Sequence, residues 1–150
     1  MGDLRKCSKC GQPSGDYASV LFASVFAPKD SFMICGRCAA DDHAAGLVSI
    51  EEADHFIEET TMNLEKLEEL IKLCPETTPV PEELEPFAMT PLKVYRALQA
   101  YLAAFKSRRM ELMTEMGSEQ RLQYEIRKAV DAENYELAAE LKKQLPGDAH

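Results

Sequence analysis

Two short stretches decide how this chain is read: Cys7-Ser8-Lys9-Cys10 and Cys35-Gly36-Arg37-Cys38, with residues 11–34 between them. Each C-x-x-C turn can aim two thiolates at one side of a tetrahedral ion, with zinc–sulfur bonds of about 2.3 Å. Gly11 follows the first knuckle and Gly36 lies inside the second, where a positive φ carries no steric cost. A disulfide reading requires an oxidising compartment, and a redox-active C-x-x-C normally comes singly in a βαβ setting. The spacing therefore predicts one structural Zn2+ held by Cys7, Cys10, Cys35 and Cys38. Four thiolates close the coordination shell and leave no position for a catalytic water. His43, five residues past Cys38, is an alternative ligand, and a plain surface histidine is the simpler reading.

Outward from the knuckles, residues 17–26 are rich in Val, Phe and Tyr, Pro28-Lys29-Asp30 supplies turn residues, and 31–34 is a second apolar run. This is the pattern of a β-hairpin, followed by a short helix over 39–45. The fold class expected is a small zinc ribbon or treble-clef module over 1–46, then a mainly α-helical region ending in an antiparallel helical hairpin. A unit this small has little core, and metal binding contributes on the order of 10 kcal/mol to its folding.

The chain is acidic overall, with a formal charge of −9, 45% hydrophobic residues and 29% charged ones. Such a balance argues for a folded protein and against a broad basic surface for nucleic acid or anionic membrane. The excess is local, because residues 51–90 carry twelve acidic against two basic residues. Over 47–74, Ile50, Ala53, Ile57, Thr60, Leu64, Leu67, Ile71 and Cys74 alternate spacings of three and four, which predicts an acidic heptad helix. Its glutamates are either a surface for a basic partner or a solvated face. Cys74 continues the apolar seam as a small hydrophobe. Pro75, Pro79, Pro81 and Pro86 make 75–90 a linker. Thr90 as N-cap and Pro91 in the first turn open an amphipathic helix over 91–117, with Gly117 as its stop. The two long helices can pair with each other or across a homodimer. Lys106, Arg108 and Arg109 form a small basic cluster of low specificity for nucleic acid.

Ser118 is placed as the cap of a helix bearing Leu122, Ile126 and Ala129, with a second helix over 135–145 and a stop at Pro146-Gly147. The paired alanines permit close helix approach, and Tyr135, Ile126 and Leu145 fill the rest of the seam. The set Tyr135-Glu136, Ala138-Ala139, Leu141 and Lys142 resembles the UVR motif, a helical hairpin named for the UvrB and UvrC repair proteins. This chain has Val130, Glu133 and Lys143 where that motif usually has Ala, Leu and Asp. The resemblance implies a protein-docking hairpin over 118–146, using Ile126, Tyr135, Glu136, Ala138, Ala139, Leu141, Lys142 and Leu145, with a tail at 147–150.

Together with the knuckles, the hairpin makes the chain similar to the McsA family, bacterial activators of McsB-type protein-arginine kinases, and to the N-terminal region of the Clp ATPase ClpE. McsA proteins usually carry two four-cysteine modules, where this chain has one. The resemblance implies an adaptor in stress response and protein quality control, with an arginine kinase or a Clp ATPase as partner. No G-x-x-x-x-G-K-[ST] is present, and His43, His55 and His150 form no catalytic pattern, so a non-catalytic protein is expected. A DNA-repair accessory factor is the alternative. The first residues, Met1-Gly2-Asp3-Leu4-Arg5-Lys6, hold no apolar run for a signal peptide or a span, which gives a cytoplasmic expectation.

Overall fold

Ser19–Phe22 (β1) pairs antiparallel with Phe32–Cys35 (β2), with Ser19 opposite Cys35 and Phe22 opposite Phe32, in a computed structural model that describes residues 6–13, 19–22, 32–73 and 90–147. Val20, Phe22, Phe32 and Ile34 are residue types that favour strands. In β2 the faces alternate, with Met33 and Cys35 buried and Phe32 exposed. The expected turn at Pro28-Lys29-Asp30 lies outside the described residues.

Cys35 ends β2 and is also the N-cap of Gly36–Ala45 (α1), which packs on both strands. Gly36, Ala40 and Ala44 are buried at four-residue spacing, a smooth face that permits close approach. The helix starts earlier than 39, and Gly36 is an ordinary helical residue. Among the described glycines, only Gly11 and Gly147 have positive φ.

Ile50–Leu73 (α2) opens with a reciprocal cap: Glu52 N–H donates to Ser49 Oγ at 3.2 Å, and Val48 N–H donates to the Glu52 carboxylate at 3.1 Å. Ile50, Ala53 and Thr60 are buried, while Ile57, Leu64, Leu67 and Ile71 are half-buried along the same stripe. Cys74 and the expected linker through residue 89 lie outside the described residues. Pro91–Glu115 (α3) starts where expected, with Lys93 N–H donating to Thr90 Oγ1 at 3.2 Å.

Residues Met1–Arg109 and Met110–His150 form two compact units, so the division falls within α3. The core of the first unit is aromatic. Phe105 of α3 is 2% exposed and lies 5.4 Å from the Phe56 ring of α2 and 5.7 Å from Tyr101. Two members of the expected basic cluster serve this packing. Arg108 Nε donates to the Leu47 carbonyl at 3.1 Å, and Arg109 Nε donates to Asp54 at 2.5 Å.

In the second unit, Ser118–Asp131 (α4) and Tyr135–Lys142 (α5) fold against each other around a short turn. Gly117, with φ −66°, is the N-cap of α4, and Ser118 is its first helical residue rather than its cap. Two hydrogen bonds close the other end of α4, from Glu133 N–H to Val130 at 2.9 Å and from Asn134 N–H to Ala129 at 2.8 Å. Glu133 takes the left-handed conformation this requires, with φ +57°. Asn134 then caps α5 by accepting from Leu137 N–H at 3.2 Å. No helix among the described residues is long and apolar enough to cross a membrane.

Candidate metal centre and hairpin groove

The sulfurs of Cys7, Cys10, Cys35 and Cys38 all lie within 4.8 Å of one another, so the four residues could bind one metal ion. Cys10 and Cys35 place their sulfurs 3.9 Å apart. A tetrahedron with zinc–sulfur bonds of about 2.3 Å has edges of about 3.8 Å, so this spacing fits a tetrathiolate shell.

Each pair is positioned by its own backbone device. In the first knuckle, Gly11 N–H donates to the Cys7 carbonyl at 2.9 Å, and Cys7 N–H donates to Gln12 at 2.8 Å. The chain reverses through Gly11 at φ +71°, a conformation that favours glycine. Ser8 N–H donates to the Met33 carbonyl at 2.8 Å, which ties this knuckle to the strand leading into the second. In the second knuckle, Cys35 is the last residue of β2 and Cys38 sits in the first turn of α1. The strand-to-helix junction thus aims both thiols. An ion pair between Lys9 and Asp42 braces the first knuckle against α1.

The thiols are strongly differentiated. For Cys7, burial pushes the pKa up, but amide donors from Cys10, Cys35 and Lys9 outweigh it and bring it down to about 6. Burial pushes Cys35 up, and burial together with the neighbouring cysteine side chains pushes Cys38 up further. Four clustered thiols resist full ionisation unless a cation compensates their charge, which is the chemistry of a thiolate metal site.

His43 is not in the cluster. Its ring lies edge-on at 4.9 Å from Phe56, 5.2 Å from Phe105 and 5.9 Å from Tyr101, so it belongs to the aromatic core. The sequence signal for this was its position in the last turn of α1, five residues from Cys38, opposite the end that carries the cysteines.

The α4–α5 hairpin encloses a groove of about 600 Å³. Of the eight residues expected to dock a partner, Ile126, Ala138, Ala139, Lys142 and Leu145 line it. Glu136 is exposed and Leu141 half-buried outside this lining, and Tyr135 is 65% exposed. Tyr135, the first residue of α5, is therefore mostly in solvent and does not fill the seam. The buried tyrosine of the hairpin is Tyr124, 2% exposed, on α4. Ala129 and Ala138 are the buried alanines. Sequence reasoning missed Gln123, Arg127 and Val130, which line the groove from α4. Their spacing with Ile126, at 123, 126, 127 and 130, was the available signal.

No protein-family model, curated protein or solved structure matches this chain.

Proposed function

We propose that this protein is a non-catalytic adaptor whose N-terminal module is folded by one structural zinc ion and whose C-terminal hairpin docks a partner protein. The observation that carries the reading is the convergence of four sulfurs from two separate knuckles within 4.8 Å. Knuckle, two-stranded ribbon and a second knuckle running into a helix is the order of a treble clef, which favours that form over a zinc ribbon. A closed four-thiolate shell suits a scaffold and leaves no site for a metal-bound nucleophile.

The docking role rests on the α4–α5 groove, which presents five of the residues singled out by likeness to the UVR motif. By the same likeness the partner is a McsB-type arginine kinase or a Clp ATPase, which the adaptor activates or recruits. The test compares the zinc-loaded full chain with a chain ending at Gly117. The full chain is expected to stimulate a purified McsB-type kinase or co-elute with a Clp ATPase, and the shortened chain to do neither. Equal performance by the shortened chain would contradict the docking role, and salt-sensitive duplex DNA binding in place of both activities would favour a repair accessory.

A further inference from the structure

The groove between α4 and α5 is apolar along its floor and positively charged at its edges, and we infer that its occupant is an acidic amphipathic helix of the partner protein. This rests on the docking role proposed above and adds the chemistry of what docks.

Ile126 and Val130 lie one turn apart on α4, and Ala138, Ala139 and Leu145 line the same groove from the other side of the turn in sequence. Branched side chains from α4 and small alanines from α5 line one groove, which has room for a further row of side chains. A helix with apolar residues at i, i+3, i+4 and i+7 supplies such a ridge. Val130 is 44% exposed, so an apolar anchor at this point removes nonpolar surface from water on both sides.

Charge decides which helix fits. Residues 118–147 carry six acidic and five basic side chains, yet the charged groups lining the groove are Arg127 and Lys142, both cations. No carboxylate is among the lining residues. A ridge flanked by Glu or Asp places opposite charges beside Arg127 and Lys142 at the wetter margin of the contact. A ridge flanked by lysines is repelled there. Electrostatic selection of this kind acts mainly on encounter rate and partner choice, while the apolar floor supplies affinity. The apolar floor also disfavours a phosphate backbone, which offers no anchors for it.

The experiment measures fluorescence anisotropy of two synthetic helices on the zinc-loaded full chain. One has leucines at i, i+3, i+4 and i+7 flanked by glutamates, and its twin has lysines at the flanks. The acidic probe is expected to bind about tenfold or more tighter than the basic one, and less so as salt rises. The double variant Arg127→Glu, Lys142→Glu is expected to reverse the preference, and binding of the basic probe then shows that the hairpin has kept its fold. Equal binding of the two probes, or an unchanged preference in the double variant, would overturn the inference. So would self-association of the chain that the same charge reversal abolishes, since that would make a second copy the occupant. If the acidic probe fails while a partner is still captured only by chains that retain the hairpin, the chemistry is wrong and the docking role stands. If the chain ending at Gly117 captures the partner, both fall.

Discussion

Arg109 of α3 donates through Nε to Asp54 of α2 at 2.5 Å, an ion pair in which each side chain is about two-thirds or more shielded from solvent. Arg109, which the sequence presents as part of a basic cluster, meets a carboxylate on the helix it packs against. Asp54→Ala leaves the guanidinium partly buried beside a lost acceptor and is expected to lower stability by about 1–2 kcal/mol, the range between exposed pairs and charged hydrogen bonds in shielded settings. Chemical denaturation of the zinc-loaded protein checks this, and a change below a few tenths would show that the pair contributes little.

Glu133 occupies a left-handed conformation at φ +57°, where a side chain is strained and glycine is not. Glu133→Gly is expected to stabilise the hairpin by about 0.5–1 kcal/mol, the relief of strain being offset in part by the greater freedom of glycine in the unfolded chain. A raised melting temperature checks it. Destabilisation would mean that the Glu133 side chain makes a contact worth more than the strain.

His43 packs against Phe56, Tyr101 and Phe105 rather than joining the cysteines. His43→Ala is therefore expected to leave metal content unchanged while costing about 1–2 kcal/mol of stability, since ring contacts of this kind contribute roughly 0.5–1.5 kcal/mol each. Loss of metal in this variant would restore His43 as a ligand.

The features that sequence reasoning anticipated are those carried by local chemistry. Paired C-x-x-C spacing brought the four cysteines together, and Thr90-Pro91 opened α3. The features it misplaced depend on which way a side chain faces after the chain has folded. Tyr135 looks like a seam residue by hydrophobicity, yet at the start of α5 it is mostly in solvent, and Tyr124 is buried instead. Arg108 and Arg109 look like a solvent-facing basic patch in one dimension, but a carbonyl at Leu47 and a carboxylate at Asp54 await them. Neither partner is close in sequence, so no local pattern reveals the match. Ser118 likewise looked like a cap, but the extended backbone at Gly117 already occupies that place.

Metal affinity should rise with pH. Ligand thiols must lose their protons to bind, and burial holds Cys35 and Cys38 above the ordinary thiol range while Cys7 is brought down to about 6. Protons therefore compete most at Cys35 and Cys38 in the neutral range, and below about 6 Cys7 also protonates. Competition titrations with a chromogenic chelator are expected to show apparent affinity climbing by about tenfold or more per pH unit near neutrality. A flat profile would contradict a thiolate shell.

Native mass spectrometry of the full chain, paired with the absorption spectrum of its cobalt-substituted form, tests the metal centre most directly. One zinc ion per chain is expected, with tetrahedral cobalt bands and strong thiolate-to-cobalt charge transfer, and single serine substitutions at Cys7, Cys10, Cys35 and Cys38 should each weaken or abolish binding. A chain that retains no metal under reducing conditions, or that binds it unchanged after any of these substitutions, would contradict the four-cysteine centre.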